Sequence, residues 1–168
     1  MRRREFTGGL IASAWVLMID VASAAQDSPT ITFLGFQISN TSLEPIKEEE
    51  QQRLEMLNTL FVEQVDGSHR FKVVPVPPDV RQQIANGPAI ANCNGCQRDY
   101  GRRAGADLVA WGTVQKVSNL ILNINLYMED VRREKLIFGK SVDIRGNTDE
   151  SWRRGLDYML RNYLLQQP

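Results

Sequence analysis

The sequence predicts an α/β fold, a single mixed-sheet sandwich in the order β-α-β-α-α-β-β-β-α. Its first three strands are expected to be parallel and its last two antiparallel. Three observations carry this. Two β-rich apolar runs, "TITFLGFQ" and "RFKVVPV", are each followed by a segment of helical spacing. Three extended runs then follow one another with only turn residues between them, which returns the chain by hairpins. An amphipathic segment, "NTDESWRRGLDYMLRNYLL", closes the order.

The chain has 168 residues. "MRRREF" is basic, a moderately apolar run follows, and Ala22-Ser23-Ala24 has the small-x-small pattern read by signal peptidase. The expected division is a signal peptide over 1–24 and one α/β domain over 25–168, exported to the periplasm. Arg3-Arg4-Glu5-Phe6 fits a twin-arginine signal, while the general secretory route stays open. Asp20 interrupts the apolar run and no cysteine lies near the cleavage site, so no membrane anchor is expected after trimming. Loss of Arg2, Arg3 and Arg4 with Glu5 and Asp20 lowers the formal charge of +0 by one. A near-neutral chain has no broad basic field, which argues against nucleic acid as a partner.

"TITFLGFQ" (30–37) reads as a buried strand. From Lys47, Leu54, Leu57, Phe61 and Val65 recur at helical spacing, and Glu48, Glu49 and Glu50 suit the positive end of the helix dipole. "RFKVVPV" (70–76) is a second strand, placed at a sheet edge by Pro75, which lacks an N–H to donate. "PPDVRQQIA" is a short helix that begins with prolines, and "QRDYGRRAG" is another, stopped at Gly105. "DLVAWGTVQKV", "LILNINLYMEDV" and "KLIFGKSVDI" are the hairpin-linked strands, turning at Ser118-Asn119 and Arg132-Arg133-Glu134. Leu120, Leu122, Ile124, Leu126 and Met128 share one face of the middle run, and Ile121, Asn123, Asn125, Tyr127 and Glu129 the other. In the last helix Asn147 is the expected cap, with Glu150 reaching back to it. Trp152, Leu156, Met159, Leu160 and Tyr163 form its expected buried stripe.

"GADLVAWGTVQKVSNLILNINLYMEDV" through "SVDIRGNTDESWRRGLDYML", with "CNGC" before it, resembles a family of small exported bacterial proteins of uncharacterised function. More distantly, the element order and "GADLVAWGTV" resemble the domain shared by the curli-secretion protein CsgG, the TolB amino-terminal domain and LpoB. That resemblance implies protein–protein contacts at the cell envelope and no catalysis. The chain departs from that group in lacking a lipid-anchor cysteine, a propeller domain and pore-forming segments, so secretion and pore formation do not transfer. No catalytic residue carries over.

Cys93 and Cys96 are the chain's 2 cysteines. A structural zinc site needs four ligands, and with His69 the chain offers two thiols and 1 histidine, so no metal is expected. Haem attachment needs a histidine at position 97, which is Gln97. A redox pair at a helix amino end remains open, since the dipole stabilises a thiolate and Arg98, Arg102 and Arg103 would add to it if turned that way. Against it, a loop and a helix precede the motif where a thioredoxin-type enzyme has a strand. A simple disulfide is the leading expectation: Asn94-Gly95 suits a tight turn, and the closed loop adds only ~2 kcal/mol.

A ligand in an open α/β sheet favours the carboxyl ends of parallel strands. Ser39, Asn40 and Thr41 would gather there with Lys116, Ser118, Asn119 and the amino end of the third helix, able to hold a small anion or peptide. Asn123 and Asn125, on alternate positions of one strand, are candidates for meeting a partner strand or polar ligand. No nucleophile–base pair, phosphate loop or cofactor motif is present in the sequence. The expectation is therefore a non-catalytic periplasmic accessory protein with an envelope or periplasmic protein as partner and no cofactor. A thiol–disulfide protein and a small-ligand binder are the alternatives.

Overall fold

A computed structural model describes residues 28–166, so the expected signal peptide and its cleavage after Ala24 lie outside the described residues. Five strands form one sheet: β1 (Thr30–Asn40), β2 (Lys72–Val73), β3 (Leu108–Lys116), β4 (Ile121–Asp130) and β5 (Lys135–Arg145), in the spatial order β2-β1-β3-β4-β5. The helices are α1 (Glu48–Gly67), α2 (Pro78–Asn86), α3 (Cys96–Arg103) and α4 (Asp149–Met159). β1 is parallel to β2 and β3, and β4 is antiparallel to β3 and β5, as the separating helices and hairpins require.

β1 lies inside the sheet, between β2 and β3, and its residues Ile31 to Leu34 are buried towards both faces. A bulge between Phe33 and Phe36 bends it, with Gly35 at φ +97°, a conformation that disfavours any side chain. Asn58 of α1 holds the bulge, its Oδ1 accepting the Phe36 N–H at 2.7 Å. The helix is thus fixed on the sheet by a polar contact as well as by its apolar stripe.

The main core lies between the sheet and the layer of α1 and α4. Leu57, Phe61 and Val65 of α1 are fully buried, and Phe61 stacks on Phe33 with ring centroids 3.9 Å apart. Leu122, Ile124, Leu126 and Met128 meet Trp152, Leu156 and Met159 in the same cluster. Each such side chain contributes about 1.5–3 kcal/mol on burial. α4 comes close to the sheet at Gly155, where an added Cβ would lie 2.4 Å from Ile144 Cγ2. The glycine expected to weaken the helix is therefore the point of closest helix–sheet approach.

A smaller core on the opposite face joins Leu34, Val109, Trp111 and Val131 to Ile90, Ile84 and Tyr100. Since β2 to β5 cross the sheet in order, these helices cover β1 and β3 and leave much of the far strands open.

Four expectations are corrected. β2 pairs over only two residues, followed by one more ladder bond from Val74 N–H to Ile31 O at 2.9 Å, because Pro75 ends the donors. The cap of α4 is Thr148, whose Oγ1 accepts the Ser151 N–H at 3.2 Å, and not Asn147 with Glu150. Leu120 lies in the β3–β4 turn and is exposed. The helix widens into a π-helical turn over Leu160–Leu164, with Leu165 N–H donating to Leu160 O at 2.8 Å. That extra residue shifts the phase, so Leu164 is buried and Tyr163 is 40% exposed.

Candidate functional site

The carboxyl end of the sheet is a closed polar cluster. β3 residues alternate between faces, so Lys116 lies on the same side as Val114, towards α1. Its ammonium reaches Glu50 in the first turn of α1, with Nζ 2.7 Å from Oε1, and both side chains are 1% exposed. Glu50 is fixed further by the Lys47 N–H, which donates to Oε2 at 2.8 Å, and by Asn147 Nδ2 at Oε1. Burial pushes the Glu50 carboxyl up, but the contacts from Lys116, Lys47 and Asn147 outweigh it and hold the group below its ordinary range.

Asn147 is the hub that ties this pair to α4. Its Oδ1 accepts from Trp152 Nε1 at 3.0 Å and from Arg53 Nη1 at 3.2 Å, while Arg53 Nε donates to Asp149 at 2.7 Å. Asn119 joins through Glu44, donating to its Oε2 at 2.6 Å. Sequence reasoning read Glu50 as a dipole acid and Asn147 as a cap. The signal for their real role is long-range, since Glu50 and Asn147 lie 97 residues apart.

Of the predicted surface, the structure brings Asn40, Thr41, Lys116 and Asn119 together. The Thr41 N–H and hydroxyl donate to Lys116 O at 2.9 and 3.1 Å, and Asn40 closes its own loop through Ser42 and Glu44. Ser118 turns the hairpin, its Oγ accepting the Leu120 and Ile121 N–H groups at 3.2 and 3.1 Å. Ser39, Asn123 and Asn125 project from the other face by strand alternation. There Asn123 Nδ2 donates to Asp143 at 3.0 Å and Asn125 Nδ2 to Thr113 at 3.2 Å.

The cysteines also sit on that other face, away from Lys116. Cys93 and Cys96 Sγ atoms are 1.98 Å apart, at disulfide distance, and Cys96 packs against the smaller core. The arginines of α3 turn to other partners. Arg98 pairs with Glu129 at 3.4 Å and Glu134 at 2.9 Å, Arg102 with Asp99 and Glu134, and Arg103 with Asp79. Their charges fasten α3 to the β4–β5 hairpin and to α2.

One open feature was not read from sequence. Among the described residues β5 hydrogen-bonds to β4 alone and forms one edge of the sheet for 11 residues. Beside it, Val142, Ile144, Ser151, Gly155 and Tyr158 line a groove of about 500 Å³ between β5 and α4. Leu136 and Ile137 further along β5 are 50% and 47% exposed. The sequence marks β5 as an extended run and does not show that no described strand pairs on its far side.

No described helix is long and apolar enough to cross a membrane. A search of the curated proteins found no match. Among solved structures, the chain is similar to a PelC dodecamer from Paraburkholderia phytofirmans, with TM-score 0.52 and 11% identity, covering 84% of this chain and 91% of that one. It is also similar to lipoprotein GNA1162 from Neisseria meningitidis, with TM-score 0.52 and 14% identity over 83% and 98% of the two chains. The LpoB C-terminal domain from Salmonella enterica aligns more loosely, at TM-score 0.47 and 12% identity over 74% and 87%. The two likenesses at TM-score 0.52 establish a shared fold. Residues 29–164 match the family model DUF3280, described as a protein of unknown function (DUF2380), and the chain belongs to that family.

Proposed function

We propose that this protein is a non-catalytic accessory module of the cell envelope, exported to the periplasm, that contacts another protein through the open edge of its sheet. The observation that carries this is β5, a full-length edge strand with exposed Leu136 and Ile137 and, among the described residues, no strand on its far side. Such an edge presents unpaired backbone N–H and C=O groups, the usual template for strand addition. The strand-end cluster, by contrast, already engages its polar groups with one another. Support comes also from the two structures of the same fold, one a dodecamer and one a lipoprotein, which suit a protein that works by assembly at the envelope.

The test is site-specific photo-cross-linking in cells. A photoreactive residue at Leu136 or Ile137 is expected to give a discrete adduct with another protein, while one at the exposed Gln82 on α2 gives none. Adducts from Gln82 alone would contradict the reading.

A further inference from the structure

We infer that the β5–α4 groove takes an extended, acidic segment of a partner protein, added as a sixth strand beside β5 and anchored by an apolar side chain. This rests on the reading above and gives its partner a chemistry. The walls supply shape: Val142 and Ile144 form the floor, and α4 stands over it because Gly155 lets the helix approach the sheet. Tyr158 is 52% exposed at the rim and packs edge-to-face on Tyr163, with centroids 5.8 Å apart. Paired exposed tyrosines beside a concave apolar floor are the side chains that dominate binding energy at interfaces.

Charge selects the occupant. β5 carries Lys135, Lys140 and Arg145 at even intervals, and none of the three makes an ion pair among the described residues. Lys140 instead lies over the Tyr163 ring, 5.3 Å from its centroid. The acid on the strand, Asp143, accepts from Asn123 at 3.0 Å but keeps its charge, so β5 retains a positive excess, and Glu150 in the groove lining is paired with Arg154 at 3.1 Å. Every arginine of α3, in contrast, has a carboxylate partner. Three unpaired cations along an edge attract an acidic strand and repel a basic one. They also disfavour a second copy of this chain: full antiparallel overlap of β5 with itself would set Lys140 on Lys140 and Lys135 on Arg145.

The experiment is selection of a random short-peptide display library on the intact protein, followed by binding and amide-shift measurements on the enriched sequences. The expected result is enrichment of net-negative peptides that bear an aromatic or branched apolar residue, with shifts confined to β5 and α4. Lys140→Glu combined with Arg145→Glu, both exposed, should weaken the acidic peptides at least tenfold while leaving the circular dichroism spectrum unchanged. Enrichment of neutral or basic peptides, shifts elsewhere, or no enrichment at all would overturn the proposal. If cross-links still form from Leu136 in that case, the accessory reading stands and only the assigned partner chemistry fails. Loss of both means the edge is not a contact surface.

Discussion

The strand-end cluster and the β5–α4 groove both gather charge at a margin of the sheet, and they orient it oppositely. In the cluster, Lys116, Glu50, Asn147, Arg53 and Asp149 close on one another, joining α1, β3 and α4. Along the β5 edge, Lys135, Lys140 and Arg145 are exposed on a strand that, among the described residues, has one neighbour. The contrast teaches that polar residues at a textually promising position are not thereby available. Availability depends on what the rest of the chain brings to meet them.

The largest expected effect breaks the cluster. Glu50→Ala leaves the buried Lys116 ammonium with only the half-exposed Glu44 carboxylate, 4.0 Å away, and should cost about 3–5 kcal/mol in urea unfolding. Replacing both partners, Glu50→Leu with Lys116→Met, should recover most of that loss. A cost near zero for Glu50→Ala would mean that the pair does not hold the two layers together. The same pair sets an acid limit. Because the folded Glu50 carboxyl titrates below its unfolded range, its contribution is present above the unfolded pKa and is lost as pH falls through the folded one. Melting temperature should therefore fall on acidification more steeply in the wild type than in Glu50→Gln.

Next comes the wall of the groove. Gly155→Ala drives a methyl into Ile144 and should cost about 1–3 kcal/mol, lowering the thermal midpoint. Removing the bridge by Cys93→Ser with Cys96→Ser should cost about 2 kcal/mol and leave cross-linking from Leu136 intact, because the smaller core that Cys96 joins contains no residue of β5. Loss of the cross-link would join the two regions that the fold keeps apart. Smallest in stability is Lys140→Glu with Arg145→Glu, expected within about 0.5 kcal/mol of wild type, although it reverses the charge of the open edge.

Much of the fold was legible because local pattern and long-range order agree. Alternation from Leu122 to Met128 marks the buried face of β4, and the hairpins at Ser118 and Arg132 set the antiparallel half. Pro75 announced an edge strand. What escaped was set by distant contacts or by phase. Tyr163 fits the stripe of a regular helix, and only the widened turn after Met159 moves it outside. The proposed ligand surface grouped residues by their nearness to strand ends, and strand alternation divides it between the two faces of the sheet. The groove left no motif, since β5 carries no proline of the kind that marks β2 as an edge.

The most direct measurement is amide hydrogen exchange of the protein alone and with a bound partner segment, read residue by residue. The account predicts new protection along β5 and the facing side of α4, with the Lys116 strand end unchanged. Protection that instead gathers at residues 39–42 and 116–119, with β5 unaffected, would contradict it.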